Sequence, residues 1–200
     1  MNTLNLTSIL GATDIYLIDG ILKGRYSKED VLLDAGCGNG RNMYWFLQNG
    51  FIIYGIDQNT DAIQNLSSVY PDLPLDRFRI ETIEKTSFDT AFFDGIICSA
   101  VLHFAKDTQH FFVMMNELVR ILKPGGSLFI RIASDIGIEK KIQFVNDGVY
   151  LLPDGSSRFL LTRVLLAQLL KQYPLSFAED FKTVNVADLR CMSTLVLKKR

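Results

Sequence analysis

V-L-L-D-A-G-C-G-N-G, Val31 to Gly40, is an apolar run that ends in three alternate glycines. A short apolar run of this kind reads as a buried strand. Gly36, Gly38 and Gly40 let the chain turn sharply and come close to a ligand. A helix is expected directly after them, over Asn39 to Gln48, with Gly50 at its end. The next apolar run, F-I-I-Y-G-I-D, closes on Asp57, about twenty residues beyond the glycines, where a carboxylate is placed to accept hydrogen bonds from a ribose. The pair of features predicts a crevice for an adenosine-bearing cofactor.

The spacing bears on which cofactor. A nicotinamide fingerprint, G-x-G-x-x-G, would have its third glycine where Arg41 stands. Asp34, two residues before the first glycine, suits a cationic ammonium and would repel a pyrophosphate. A plain strand–turn–helix without a ligand is the bland alternative.

Working outward, strand and helix patterns alternate. A helix is expected over Ala12 to Lys23, ahead of the first strand. After Asp57 comes a helix over Thr60 to Tyr70, with Asn59 as N-cap and Pro71 beyond its end. Strands follow at Arg77 to Glu81 and Gly95 to Ser99. Asp107 to Leu122 is amphipathic, with Phe111, Met115, Leu118 and Val119 at helical spacing. Lys123-Pro124-Gly125-Gly126 stops it, and a fifth strand runs from Ser127 to Ala133. Ser157 to Gln172 reads as the last helix. Phe181 to Val186 and Met192 to Leu197 read as two final strands, close enough for an antiparallel hairpin. The whole predicts an α/β fold, a doubly wound and mostly parallel seven-stranded sheet, in one domain over residues 1–200.

Composition sets limits. With 21 basic and 22 acidic residues among 200, nothing draws the chain to a polyanion, so nucleic acid is not expected as a partner. Cys37, Cys98 and Cys191 are too few and too scattered for a disulfide framework, and two histidines seven apart make no metal site. The first ten residues lack the marks of a secretory leader, and no apolar run has the roughly 20 residues that span a bilayer. The expectation is a cytoplasmic protein with no membrane partner; the oligomeric state is not readable.

The block D-A-G-C-G-N-G-R-N resembles motif I of the class I S-adenosylmethionine-dependent methyltransferases. F-D-G-I-I-C-S-A-V-L-H-F, Phe93 to Phe104, is similar to that family's fourth strand and the turn after it. E-L-V-R-I-L-K-P-G-G-S-L-F-I, Glu117 to Ile130, is similar to its helix, turn and fifth strand. The resemblance covers roughly residues 30 to 135, and motif I looks most like the tellurite-resistance branch. It implies a Rossmann-like sheet, S-adenosyl-L-methionine as cofactor, and methyl transfer to a small oxygen, sulfur, nitrogen or chalcogen acceptor. In this resemblance Asp34, Gly36, Gly38, Asn39, Gly40 and Arg41 form the cofactor loop. Asp57 takes the ribose, Gln58 lies along the adenine, and Ser99 sits near the methionine end. Thr82 stands where the family often has an Asp for the adenine amino group, with Ile83 next to pack on the ring and Glu84 as a substitute. The N-P-P-Y-type motif after strand four is missing, which disfavours planar amino groups as acceptors.

His103, just past strand four, is the candidate general base, and a side chain that merely packs the turn is the alternative. Arg41 and Arg131 are candidates for an anionic acceptor or the cofactor carboxylate. Tyr16 and Tyr26, with the N-terminal helix at 12–23, are candidates for a lid. The acceptor-selecting residues are expected in 135–155 and the N-terminal helix. Two other classes stay open: a nicotinamide-dependent oxidoreductase and a non-catalytic S-adenosylmethionine-binding regulatory protein.

Overall fold

Leu32, Leu33 and Ala35 are fully buried because β1, Val31–Ala35, has a parallel partner on each side. The computed structural model describes residues 5–200. The first four residues of the stretch read for a leader lie outside them. Ahead of β1 come α1, Leu6–Leu10, and α2, Ile15–Leu22. After it come α3, Tyr44–Gln48, β2, Ile52–Asp57, α4, Thr60–Val69, β3, Phe78–Ile80, and β4, Phe93–Ser99. The chain continues through α5, Thr108–Ile121, and β5, Leu122–Ser134. Then follow β6, Gln143–Asn146, β7, Val149–Leu151, β8, Ser157–Phe159, and α6, Arg163–Gln172. β9, Leu175–Phe177, β10, Lys182–Val186, and β11, Arg190–Lys199, complete it.

The main sheet runs β10-β11-β5-β4-β1-β2-β3, parallel except where β11 meets its neighbours. These are the seven strands expected, with the antiparallel hairpin at the carboxyl end of the chain. The order reverses between β1 and β4, so the ligand crevice of such a sheet lies at their carboxyl ends. β9 adds an eighth strand on the edge of β11. Successive side chains of a strand face opposite ways. Leu33, Ile96, Cys98, Leu128 and Ile130 therefore pack with α5 and α6, while Leu32, Ile97 and Phe129 pack with α2, α3 and α4.

Several boundaries differ from expectation, each for a local reason. The helix expected from Asn39 begins only at Tyr44, because Gly40 has φ +75° and the chain passes through tight turns before it can coil. The N-terminal helix starts at Ile15, where the Asp14 carboxylate accepts from the Tyr16 amide. The helix expected from Ser157 begins at Arg163. Thr162 caps it, and residues 157–159 are a strand whose Phe159 is drawn into the core to stack on Phe111, 5.1 Å between rings. With β6 and β7 this strand forms a separate three-stranded antiparallel sheet. It stands beside the carboxyl edge of the main sheet, tied to it where Leu161 donates to Ala133 O, 2.9 Å.

Candidate active site

The glycine loop extends the pairing of β1 and β2: Gly36 and Cys37 amides both donate to Ile56 O, at 2.8 and 2.9 Å. At Gly36 the φ is +79°, and a Cβ would lie 2.4 Å from Val101. At Gly38 the φ is +51°, and a Cβ would meet nothing within 4 Å, so that point of the loop is open. Its amide donates to Asp57 Oδ2, 2.8 Å, and Asp57 Oδ1 accepts from the Asn59 amide, 2.9 Å. The carboxylate is thus fixed between loop and α4 with lone pairs to spare. Asn39 is exposed on the loop. Arg41 reaches across the crevice to the Ser99 hydroxyl, 3.4 Å.

Asp34 is the most unusual group here. It is 1% exposed, and both carboxylate oxygens are buried without a hydrogen-bond partner. Burial pushes its pKa up to about 7, against the pull of Arg41 and helped by Asp57. A buried carboxylate without donors is costly unless a cation joins it.

Two cavities open at this edge. The smaller, about 360 Å³, brings Gly36, Asp57, Gln58, Thr82 and Ile83 together. Ile83 is otherwise part of the core. Glu84 also borders this space but is already paired. Its Oε1 lies 2.7 Å from His110 Nε2, while Nδ1 of that ring accepts from the Lys106 amide at 3.0 Å. Nε2 therefore carries a proton and donates to Glu84. Burial opposes ionisation of Glu84, but the hydrogen bonds from His110 and its neighbours hold its pKa below the usual value.

The larger cavity, about 590 Å³, holds His103, Arg131, Asp154, Arg158 and Arg190. Ala100 lines both cavities. It takes the left-handed φ of +64° at the end of β4, with its amide donating to Arg131 O, 2.7 Å. His103 sits in the single turn Leu102–Phe104, 8% exposed, edge-on to Phe104, with Nδ1 buried and unpartnered. Burial, reinforced by Arg158, pushes its pKa down to about 4. Arg131 pairs with Asp14, which is fully buried, and lies 5.3 Å from the Tyr16 ring. Tyr26 packs instead on Phe46 in the core.

Sequence reasoning missed Asp14, whose signal was its position just before an apolar helix. It also missed Arg158, Arg190 and Asp154, which no motif marks.

The methyltransferase-domain family matches residues 33–130 of this chain, the span from β1 through most of β5, which supplies the whole lining of the smaller cavity but only Ala100 and His103 of the larger. The chain carries a class I S-adenosylmethionine-dependent methyltransferase domain. It is 25% identical over 176 residues to O-methyltransferase 3 of Dictyostelium discoideum, covering 79% of this chain and 38% of that protein. It is 30% identical over 111 residues to YqeM of Bacillus subtilis, covering 54% of this chain and 44% of that one. The chain thus spans less than half the length of these two relatives. A solved methyltransferase structure from Methanosarcina mazei shares the fold, with a TM-score of 0.74 at 21% identity over 90% of this chain and 96% of that one. Membership of this family brings S-adenosyl-L-methionine as cofactor and removes the nicotinamide alternative. The residues of the methyltransferase domain fit that cofactor: the unpartnered Asp34 suits its ammonium, and the open backbone at Gly38 allows a close approach. Among the described residues, no helix is long and apolar enough to cross a membrane.

Proposed function

We propose that this methyltransferase domain moves a methyl group onto a small-molecule acceptor seated in the larger cavity. The observation that carries the reading is Ala100, the common wall of the two cavities, which supports an acceptor seated beside the cofactor. When bound, S-adenosylmethionine supplies a methyl group already activated by its positive sulfur. The work left to the chain is to orient, to exclude water and to handle any acceptor proton. Orientation alone is worth up to about 7–11 kcal/mol of barrier.

In this reading Asp34 faces the ammonium, and Asp57 takes the ribose hydroxyls. Gln58 and Ile83 flank the adenine, and Arg41 and Ser99 close the methionine end. With Glu84 held by His110, Thr82 is the group assigned to the adenine edge. His103, which lines the larger cavity, receives the acceptor's proton where there is one. The N-terminal helix expected as a lid over 12–23 serves as a cover, together with residues 5–11 ahead of it. Three contacts support this: Tyr44 Oη donates to Ser8 O at 2.9 Å, Thr13 Oγ1 to Arg41 O at 3.2 Å, and Asp14 pairs with Arg131. The tellurite-resistance likeness of motif I keeps chalcogen oxyanions among the acceptors, and the cytoplasm is the compartment we assign.

A screen with methyl-labelled donor against small thiols, amines, phenols, carboxylic acids, selenite and tellurite tests the reading. Label should appear in one class of small product. Label transferred to nothing but macromolecules would overturn it.

A further inference from the structure

The lining of the larger cavity is cationic beyond what methyl transfer requires. Arg131 is offset by Asp14. Arg158 and Arg190 are not offset in this way. Among the described residues no carboxylate reaches salt-bridge distance of either. Arg158 gives one Nη to Ser157 O, 2.7 Å, and lies 5.1 Å over the Phe104 ring. Asp154, the one acidic side chain of the lining, accepts from the Ser156 amide and hydroxyl at 2.9 and 2.6 Å, and feels Arg190 and Arg158 only from beyond salt-bridge distance. His103, nine-tenths buried, also lines the cavity. Leu152, Val186 and Met192 supply apolar wall between these groups.

Guanidinium groups in a concave, partly apolar site bind carboxylates and phosphates through charge-assisted hydrogen bonds, and the apolar wall takes an organic body. We propose that the acceptor is an organic anion. Its carboxylate or phosphate is held by Arg158 and Arg190, its body lies against Leu152 and Met192, and its methyl-accepting atom is turned toward Ala100. β8 and the turn before it contribute Arg158, Asp154 and Ser156. The three-stranded sheet is therefore the part of the molecule that selects the acceptor. This rests on the methyl-transfer reading of the site.

The test separates the two ideas. Calorimetry with S-adenosylhomocysteine is run first; absence of binding would count against the methyl-transfer reading itself. The protein loaded with S-adenosylhomocysteine is then titrated with benzoate, phenyl phosphate and benzamide. The imidazole resonances of its two histidines are followed by NMR, with His110→Asn used to assign them. Benzoate or phenyl phosphate should move the His103 signals saturably, and benzamide should bind at least about tenfold more weakly. Whichever anion binds tighter identifies the group. The double variant Arg158→Gln, Arg190→Gln should lose about tenfold or more of anion affinity while holding S-adenosylhomocysteine as before. Equal affinity for benzamide, no saturable shift with either anion, or wild-type anion affinity in the double variant would each overturn the proposal.

Discussion

Asp34, assigned to the cofactor ammonium in our proposal, is a cost to the empty fold. Its carboxylate has no donor in the protein, and its pKa is pushed from 3.8 to about 7. A pKa raised in the folded state gives stability that is present below the unfolded value and lost as pH rises through about 7. Asp34→Asn should therefore gain stability over wild type as pH rises from 4 to 8, by about 1–3 kcal/mol at the upper end. Denaturant melts of both proteins without ligand check this. The same variant should bind S-adenosylhomocysteine at least about tenfold more weakly at pH 8, because a cation would then meet no charge. A variant that is no more stable and binds as tightly would show that Asp34 faces no ammonium. His103 has the opposite sign. Its pKa falls to about 4, so it is neutral at pH 7 and its contribution to stability is lost as pH drops from 6.5 through 4. A base with this pKa is fully available above pH 5, so a rate that climbs between pH 6 and 9 reports the acceptor's own ionisation. We expect His103→Ala to lower turnover of a protonated acceptor about 10²–10⁴-fold and to leave S-adenosylhomocysteine affinity unchanged. Wild-type turnover of such an acceptor by the variant would remove the base role.

Among the elements, α5 joins the core to the smaller cavity, which its His110 and Met114 line. Its Glu117 is buried and accepts from the Thr86 amide and hydroxyl, at 2.7 and 2.6 Å, while pairing with Arg120. Burial opposes the charge, but the hydrogen bonds of Arg120 and Thr86 outweigh it and lower the pKa to about 2. A lowered pKa gives stability present above the unfolded value and lost as pH falls from about 4.5 through 2. Glu117→Gln should cost about 1–3 kcal/mol at pH 7 and almost nothing near pH 2, read by urea melts at both values. In the three-stranded sheet, Gly148 has φ +74°, and a Cβ there would come within 2.2 Å of Phe159. Gly148→Ala should displace Phe159 from its stack on Phe111 and cost about 1–3 kcal/mol. If this sheet selects the acceptor, the variant should raise acceptor KM severalfold with donor affinity intact. A variant that instead loses donor affinity alone would place the sheet at the other cavity.

At the scale of the whole molecule, the sheet's reversal between β1 and β4 makes one crevice, and segments far apart in the chain close it. Asp14 comes from the N-terminal region, Arg131 from β5, Arg158 from β8 and Arg190 from β11. The strands, the glycine loop and the matching Asp57 could be read from the sequence, because each is written in a local period or a short spacing. Residues 31–57 need no distant partner to reveal a strand, a turn and a second strand. The ends of the helices were less legible. Where Gly40 or Thr162 sets the first coil depends on backbone angles and caps, which a periodic pattern does not record. The three-stranded sheet was invisible, since its strands are only three or four residues long and β6 carries no buried face. Asp34 was legible as an acid beside the glycines, but its isolation from every donor was not. That isolation, the weak basicity of His103 and the gathering of the arginines around it depend on what other segments bring to or withhold from each side chain. Desolvation and long-range contact leave no period in a sequence, so only the folded chain decides them.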